Sequence, residues 1–215
     1  MGRDGYKDVD IVLTTREFAR LIKHKQIPFR HLEPIKPFGA LAIYTGAGNI
    51  FGATGGVMEA ALRTVTEVLE GKSTPVEFKE LRGNQDIKEA TYQVKGKELN
   101  VAVVHGGKAI KTFLENLKTS EKKYHFVEFM GCTGGCINGG GQPIVPAKLF
   151  EANDVRSLRA SVLYGIDDKA TLRKSHENPS VAKLYETFLG KPNSHLSHEL
   201  LHTHYKKRES YSKLK

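Results

Sequence analysis

Between Val57 and Glu70 apolar residues recur every three or four positions: Val57, Ala60, Ala61, Leu62, Val65, Val68 and Leu69 share one wide face. That is the period of an amphipathic helix, and Gly71 is placed to stop it. A β-rich stretch follows, with strands expected over Val76–Leu81 and Ile87–Val94. The turn Lys95-Gly96-Lys97-Glu98 leads into a third strand, Leu99–Val104. Ala109–Leu117 returns to the helical period, and His125–Met130 reads as another strand. Strand, helix, strand at this spacing is a βαβ unit with a right-handed crossover.

The ends of the chain are patterned differently. Asp10–Thr14 reads as a short buried strand, and Thr15 as the cap of a helix running to about Lys25, with Phe18, Leu21 and Ile22 on one face. Ile27–Gly39 holds three prolines and is a loop. Ala40–Tyr44 is a short strand or an irregular segment, and Thr45–Gly56 is a glycine-rich loop. Beyond Pro143 the pattern is helical, over Val155–Tyr164 and Val181–Leu189, joined by a capped junction at Arg173–Pro179. No internal repeat or low-complexity tract interrupts this order.

With 215 residues, 39% hydrophobic and 27% charged, the chain suits one domain or one large lobe of a larger unit. No apolar run reaches the length of a membrane span. The first residues, Met1-Gly2-Arg3-Asp4-Gly5-Tyr6, have neither the apolar core of a secretory leader nor a myristoylation pattern, so a cytoplasmic location is expected. Two cysteines in so long a chain do not make a disulfide scaffold. The net charge is +9. Its basic residues are scattered, without an aromatic-interleaved patch, so solvated surface and docking of an acidic protein are favoured over nucleic acid.

Both cysteines, Cys132 and Cys136, fall among six glycines in Gly131–Gly141, at the carboxyl end of the His125–Met130 strand, where α/β folds place ligands. Thiolates are soft ligands, and glycine lets backbone amides crowd a ligand. Read on spacing alone, the pair is a metal or cluster site, two inert packing thiols, or a redox couple with one residue too many between its sulfurs. The neighbouring glycines and Met130 favour a cluster; two thiolates alone do not complete a cubane, which takes four. Gly46–Gly56 has the wrong spacing for a dinucleotide loop; backbone packed on a compact anionic ligand at the start of the following helix fits better. His198-Glu199-Leu200-Leu201-His202 matches a zinc-protease pattern, but its extension is absent, and surface or hydrogen-bonded histidines are the better reading.

The segment Glu128–Cys136 through Gly139-Gly140-Gly141-Gln142-Pro143 resembles the third signature motif of the [FeFe]-hydrogenase catalytic domain. Asp10–Glu17, Phe51–Arg63, Arg173–Pro179 and Ser197–Tyr205 are similar to further family segments, in family order. The resemblance implies an α/β fold: a mixed or parallel sheet flanked by helices, one lobe of the two-lobed iron-only hydrogenase catalytic domain, followed by a helical C-terminal region. It spans residues 8–205, leaving 206–215 as a basic tail. It implies reversible reduction of protons to H2 at an H-cluster, a [4Fe-4S] cubane joined to a di-iron unit. Cys132 would ligate the cubane, and Cys136 would bridge cubane and di-iron unit. Met130 and Phe51 would line the di-iron pocket. Gly52, Gly55, Gly139, Gly140 and Gly141 would approach the inorganic ligands with bare backbone.

Thr133 stands where the family usually has proline, and Gly131 where alanine is common. The first two family motifs, with the other cubane cysteines, are not in this sequence. The implied partners are therefore a chain or segment supplying the N-terminal lobe, and ferredoxin or another electron carrier, with no membrane and no nucleic acid. The alternative is a non-catalytic iron–sulfur assembly or sensor protein of the same superfamily.

Overall fold

The structure, a computed structural model, describes residues 9–35, 39, 43–72 and 77–202. At its centre lies a three-stranded mixed sheet in the order β1-β2-β3. Strand β1 (Ile87–Val94) pairs antiparallel with β2 (Lys97–His105), and β2 pairs parallel with β3 (Phe126–Met130). Lys95 and Gly96 both have positive φ, 52° and 73°, the two-residue turn whose twist matches that of the strands it joins.

Eight helices are described: α1 (Thr15–His24), α2 (Gly46–Asn49), α3 (Gly56–Glu70), α4 (Gly107–Leu117), α5 (Ala147–Ala152), α6 (Val155–Asp168), α7 (Pro179–Leu184) and α8 (His195–Leu201). A π-turn, Tyr185–Leu189, extends α7.

Strand β2 is apolar on both faces because both faces are covered. Val101 and Val103 pack with Met58 and Leu62 of α3 and with Phe78 and Leu81. Ala102 and Val104 pack with Ala109 and Phe113 of α4 on the other side. The βαβ unit is thus β2-α4-β3, with the parallel pairing expected of it.

Several expected elements differ. Asp10–Thr14 is not a strand: Ile11 and Val12 are 76% and 84% exposed. The cap of α1 is Thr14, not Thr15. Thr14 and Glu17 form a reciprocal capping box, in which each side chain takes the other's backbone amide. Residues 77 and 78 are irregular and Lys79–Leu81 is a single 3-10 turn, so the strand expected there is absent; Val76 lies outside the described residues. Leu81 is nevertheless fully buried. Of the uncertain Ala40–Tyr44 segment only Ile43 and Tyr44 are described, without regular structure, and the basic tail lies outside the described residues.

A buried ionic network locks α3 to α6. Arg63 forks onto Asp167 through two hydrogen bonds of 2.7 and 2.8 Å and reaches Glu59 at 2.8 Å. All three side chains are fully buried. Arg82 adds two bonds to Glu59, and Arg173 one to Asp167. Burial opposes ionisation of Asp167, but the hydrogen bonds from Arg63 and Arg173 outweigh it and hold the carboxyl below its ordinary range. Deleting the central cation would leave two buried carboxylates short of a partner. Arg63→Met is therefore expected to cost about 3–5 kcal/mol in urea unfolding; an unchanged midpoint would show that the network is not what couples the two helices.

Candidate metal centre

Strand β3 delivers the cysteine loop, and its register is pinned at the end. The amide of Gly106 donates to the carbonyl of Met130 (2.9 Å), and His105 lies opposite Met130 across the parallel pair. The chain then turns through Gly134 and Gly135, both at positive φ (84° and 96°). A side chain at Gly135 would sit 2.6 Å from the carbonyl of Gly52, so glycine is required by that close approach. The loop rests on the second glycine-rich segment: the amide of Thr54 donates to the carbonyl of Gly134.

Cys132 and Cys136 are free and exposed. Met130 is half-buried just before them, and Phe51 is 46% exposed on the adjoining segment. The structure thus brings Cys132, Cys136, Phe51 and Met130 to two touching loops. The glycines are not equivalent. A Cβ at Gly139 would lie 3.5 Å from the Cys132 sulfur and one at Gly140 would meet nothing. At Gly52 it would press on Leu163 and Ile137, at Gly55 on the carbonyl of Leu81, and at Gly141 on Thr14. Gly52, Gly55 and Gly141 are therefore demanded by packing within the protein, whatever else approaches them.

Two polar residues beneath the loops had no role assigned from the sequence. Glu128 of β3 is buried, and its carboxylate accepts from the amides of Gly55 (2.6 Å) and Met58 (2.7 Å), where α3 begins. It therefore ties the cysteine strand to the Gly52–Gly56 loop. Burial pushes the Glu128 carboxyl up, while those amides and nearby Lys88 oppose the rise. Lys88 is itself desolvated and pushed down to about 8. His105, fully buried, accepts from the Gly134 amide through Nδ1 (3.2 Å). Burial, with nearby Lys88, lowers its basicity. Glu128 had a readable signal: an acid inside an apolar strand must find donors if buried.

Two arginines staple the loop from outside and a third packs against it. Arg159 of α6 donates to the carbonyls of Ile137 (3.0 Å) and Pro143 (2.8 Å), and Arg16 of α1 to that of Gly140 (2.5 Å). Arg156 lies against Gly134. Several large apolar side chains of the described residues are exposed, including Ile11, Val12, Ile144, Leu158 and Val162.

The remaining motifs stay apart from this centre. His198 in the middle of α8 and His202 just past its end are exposed, their rings edge to face at 4.2 Å. Asn178 caps α7 with Pro179 in its first turn, as the junction reading expected. His176 bonds Thr64, and with Glu67 and Glu177 forms another group of ligand-type side chains, but Lys174 already pairs with Glu67.

The fold is thus a mixed sheet flanked by helices that presents two free thiols from a glycine-rich loop. Residues 1–140 match the model of the iron-only hydrogenase large subunit, C-terminal domain, and residues 153–208 that of the iron hydrogenase small subunit. The chain belongs to the iron-only hydrogenase family. It is 47% identical over 208 residues to iron hydrogenase 1 of Clostridium pasteurianum, covering 96% of this chain and 36% of that protein. Protein NAR1 of Arabidopsis thaliana is 34% identical over 204 residues, 92% of this chain and 42% of that protein. A variant of the [FeFe]-hydrogenase HydA1 from Chlamydomonas reinhardtii superposes with a TM-score of 0.71 at 37% identity, over 92% of this chain and 55% of that one. The chain thus spans about a third to two fifths of the curated relatives named here and about half of that solved structure.

Replacing Glu128 by glutamine keeps its size but turns an amide donor toward backbone donors. Glu128→Gln is expected to cost about 1–3 kcal/mol and to speed hydrogen exchange at Gly55 and Met58 more than in β1. Unchanged exchange at those two amides would refute the tie between strand and loop.

Proposed function

We propose that this chain is the C-terminal lobe of an iron-only hydrogenase catalytic domain, which reversibly reduces protons to H2 when joined by polypeptide carrying the remaining cubane cysteines. The observation that carries this reading is the pair of free, exposed thiols, Cys132 and Cys136, on a loop seated against the Phe51–Gly56 segment. The donor chemistry fits: soft thiolates on one wall, backbone free of side chains at Gly139 and Gly140 beside them, and a half-buried thioether at Met130. In this reading Cys132 and Cys136 would hold the H-cluster, a [4Fe-4S] cubane with a di-iron unit. When bound, that group supplies the electron and hydrogen chemistry, two protons and two electrons combining to H2.

The chain's own residues do the positioning. Glu128 fixes the Gly52–Gly56 loop against the cysteine strand. His105, Arg159 and Arg16 hold the cysteine loop through its backbone, leaving the sulfurs free to ligate. Phe51 and Met130 give the pocket a soft, water-excluding wall. The exposed apolar side chains suit the absent lobe, and the net charge of +9 suits an acidic electron carrier such as ferredoxin. A cytoplasmic, oxygen-free setting is part of the proposal. The likeness to protein NAR1 over 92% of the chain supports a second reading, a non-catalytic iron–sulfur assembly factor.

Anaerobic reconstitution with the completing polypeptide and mature cofactor separates the two. Bound iron with H2 evolution supports the hydrogenase. Bound iron without it supports the assembly factor, and no bound iron refutes both. Cys132→Ser and Cys136→Ser are each expected to lose most of the iron absorbance while the far-ultraviolet dichroism is retained.

A further inference from the structure

A second cavity lies behind the cysteine loop, of about 270 Å³. Its walls are α6, the Arg82–Asn84 turn, and the backs of the two loops at Thr54 and Gly134. None of its lining residues is acidic.

The polar groups facing this cavity differ in whether they are already satisfied. Arg82 is neutralised by its two bonds to Glu59 and lies over the Tyr164 ring. Asn84 and Ser157 are committed to Asp154, the nearest carboxylate, which caps α6. Ser161 donates back to the Leu158 carbonyl. Three groups remain. The Arg156 guanidinium makes no hydrogen bond or close ion pair among the described residues, although its charge helps to hold the nearby Asp154 carboxyl down. The Thr54 hydroxyl is buried without a partner, Thr54 being 5% exposed. The Tyr164 hydroxyl is also buried without a partner, and burial keeps that phenol protonated. Buried hydroxyls left unpaired beside a guanidinium without an acceptor are costly unless something there accepts hydrogen bonds.

The geometry points to a binding site for a small monovalent oxyanion of carboxylate type, held by Arg156, Thr54 and Tyr164. The groups left to bind are a guanidinium and two hydroxyls, all able to donate, a set that suits the acceptor oxygens and single charge of one small oxyanion. The oxyanion comes either from solution or from an acidic side chain of the completing polypeptide. The site stands independently of the hydrogenase reading, since no sulfur and no metal takes part.

Isothermal titration of the whole protein with sodium formate tests it, with Arg156→Gln as the control for ionic strength. Saturable uptake of one formate per chain is expected, weakened at least tenfold in Arg156→Gln and several-fold in Thr54→Val. Ala160→Met, which fills the cavity without removing charge, should abolish it and guards against misfolding of the charge variant. Repeating the titration on the complex with the completing polypeptide identifies the source: retained uptake means a free anion, and lost uptake an acidic side chain. Absence of saturable uptake by the wild type alone, or equal uptake by wild type, Arg156→Gln and Ala160→Met, overturns the site.

Discussion

The carboxylate of Glu128 is the contact on which the arrangement of the two loops depends. It sits two residues before Met130 on β3 and takes the amides of Gly55 and Met58 at the start of α3. The strand that presents the cysteines and the loop that presents Phe51 are thereby one unit. A buried carboxylate is unfavourable by itself, as its raised pKa records. The unpaired amides at a helix start are the groups best suited to accept a negative charge, and the helix dipole adds to them. The close approach also needs Gly56, where a Cβ would lie 1.8 Å from the Ile50 carbonyl. Glycines in this segment therefore serve the fit of protein against protein before they serve any ligand.

Much of the frame was legible in the sequence. The helix read from Val57 to Glu70 begins one residue earlier, and the strand read over Ile87–Val94 has those same bounds. Such elements carry a strong period and a clear stop, so local pattern decides them. The failures have physical causes. Asp10–Thr14 has a strand's apolar content, yet it joins no sheet, and Ile11, Val12 and Leu13 stay exposed. Leu81 ends an apolar stretch that buries as a turn, because one 3-10 turn suffices to bring Phe78 and Leu81 under β2. The cap at Thr14 was readable from Glu17 three residues on.

The site was legible in kind rather than in construction. Soft ligands among glycines announce themselves in sequence. Nothing in the local pattern told that His105, 29 residues before Gly134, would accept its amide, or that Arg159 would reach back to Ile137. Those contacts depend on where β2 and α6 lie, and tertiary packing sets that. The Arg63 network works at the same range, joining α3 to α6 across 104 residues of sequence.

These contacts have one feature in common. Every group that shapes the cysteine loop is a protein group: Gly52 and Thr54 beneath it, His105 behind it, Arg16 and Arg159 at its flank. None of them uses a sulfur. The backbone of the loop is fixed by bonds that leave both thiols uncommitted, so little ordering entropy remains to be lost when a ligand is taken up.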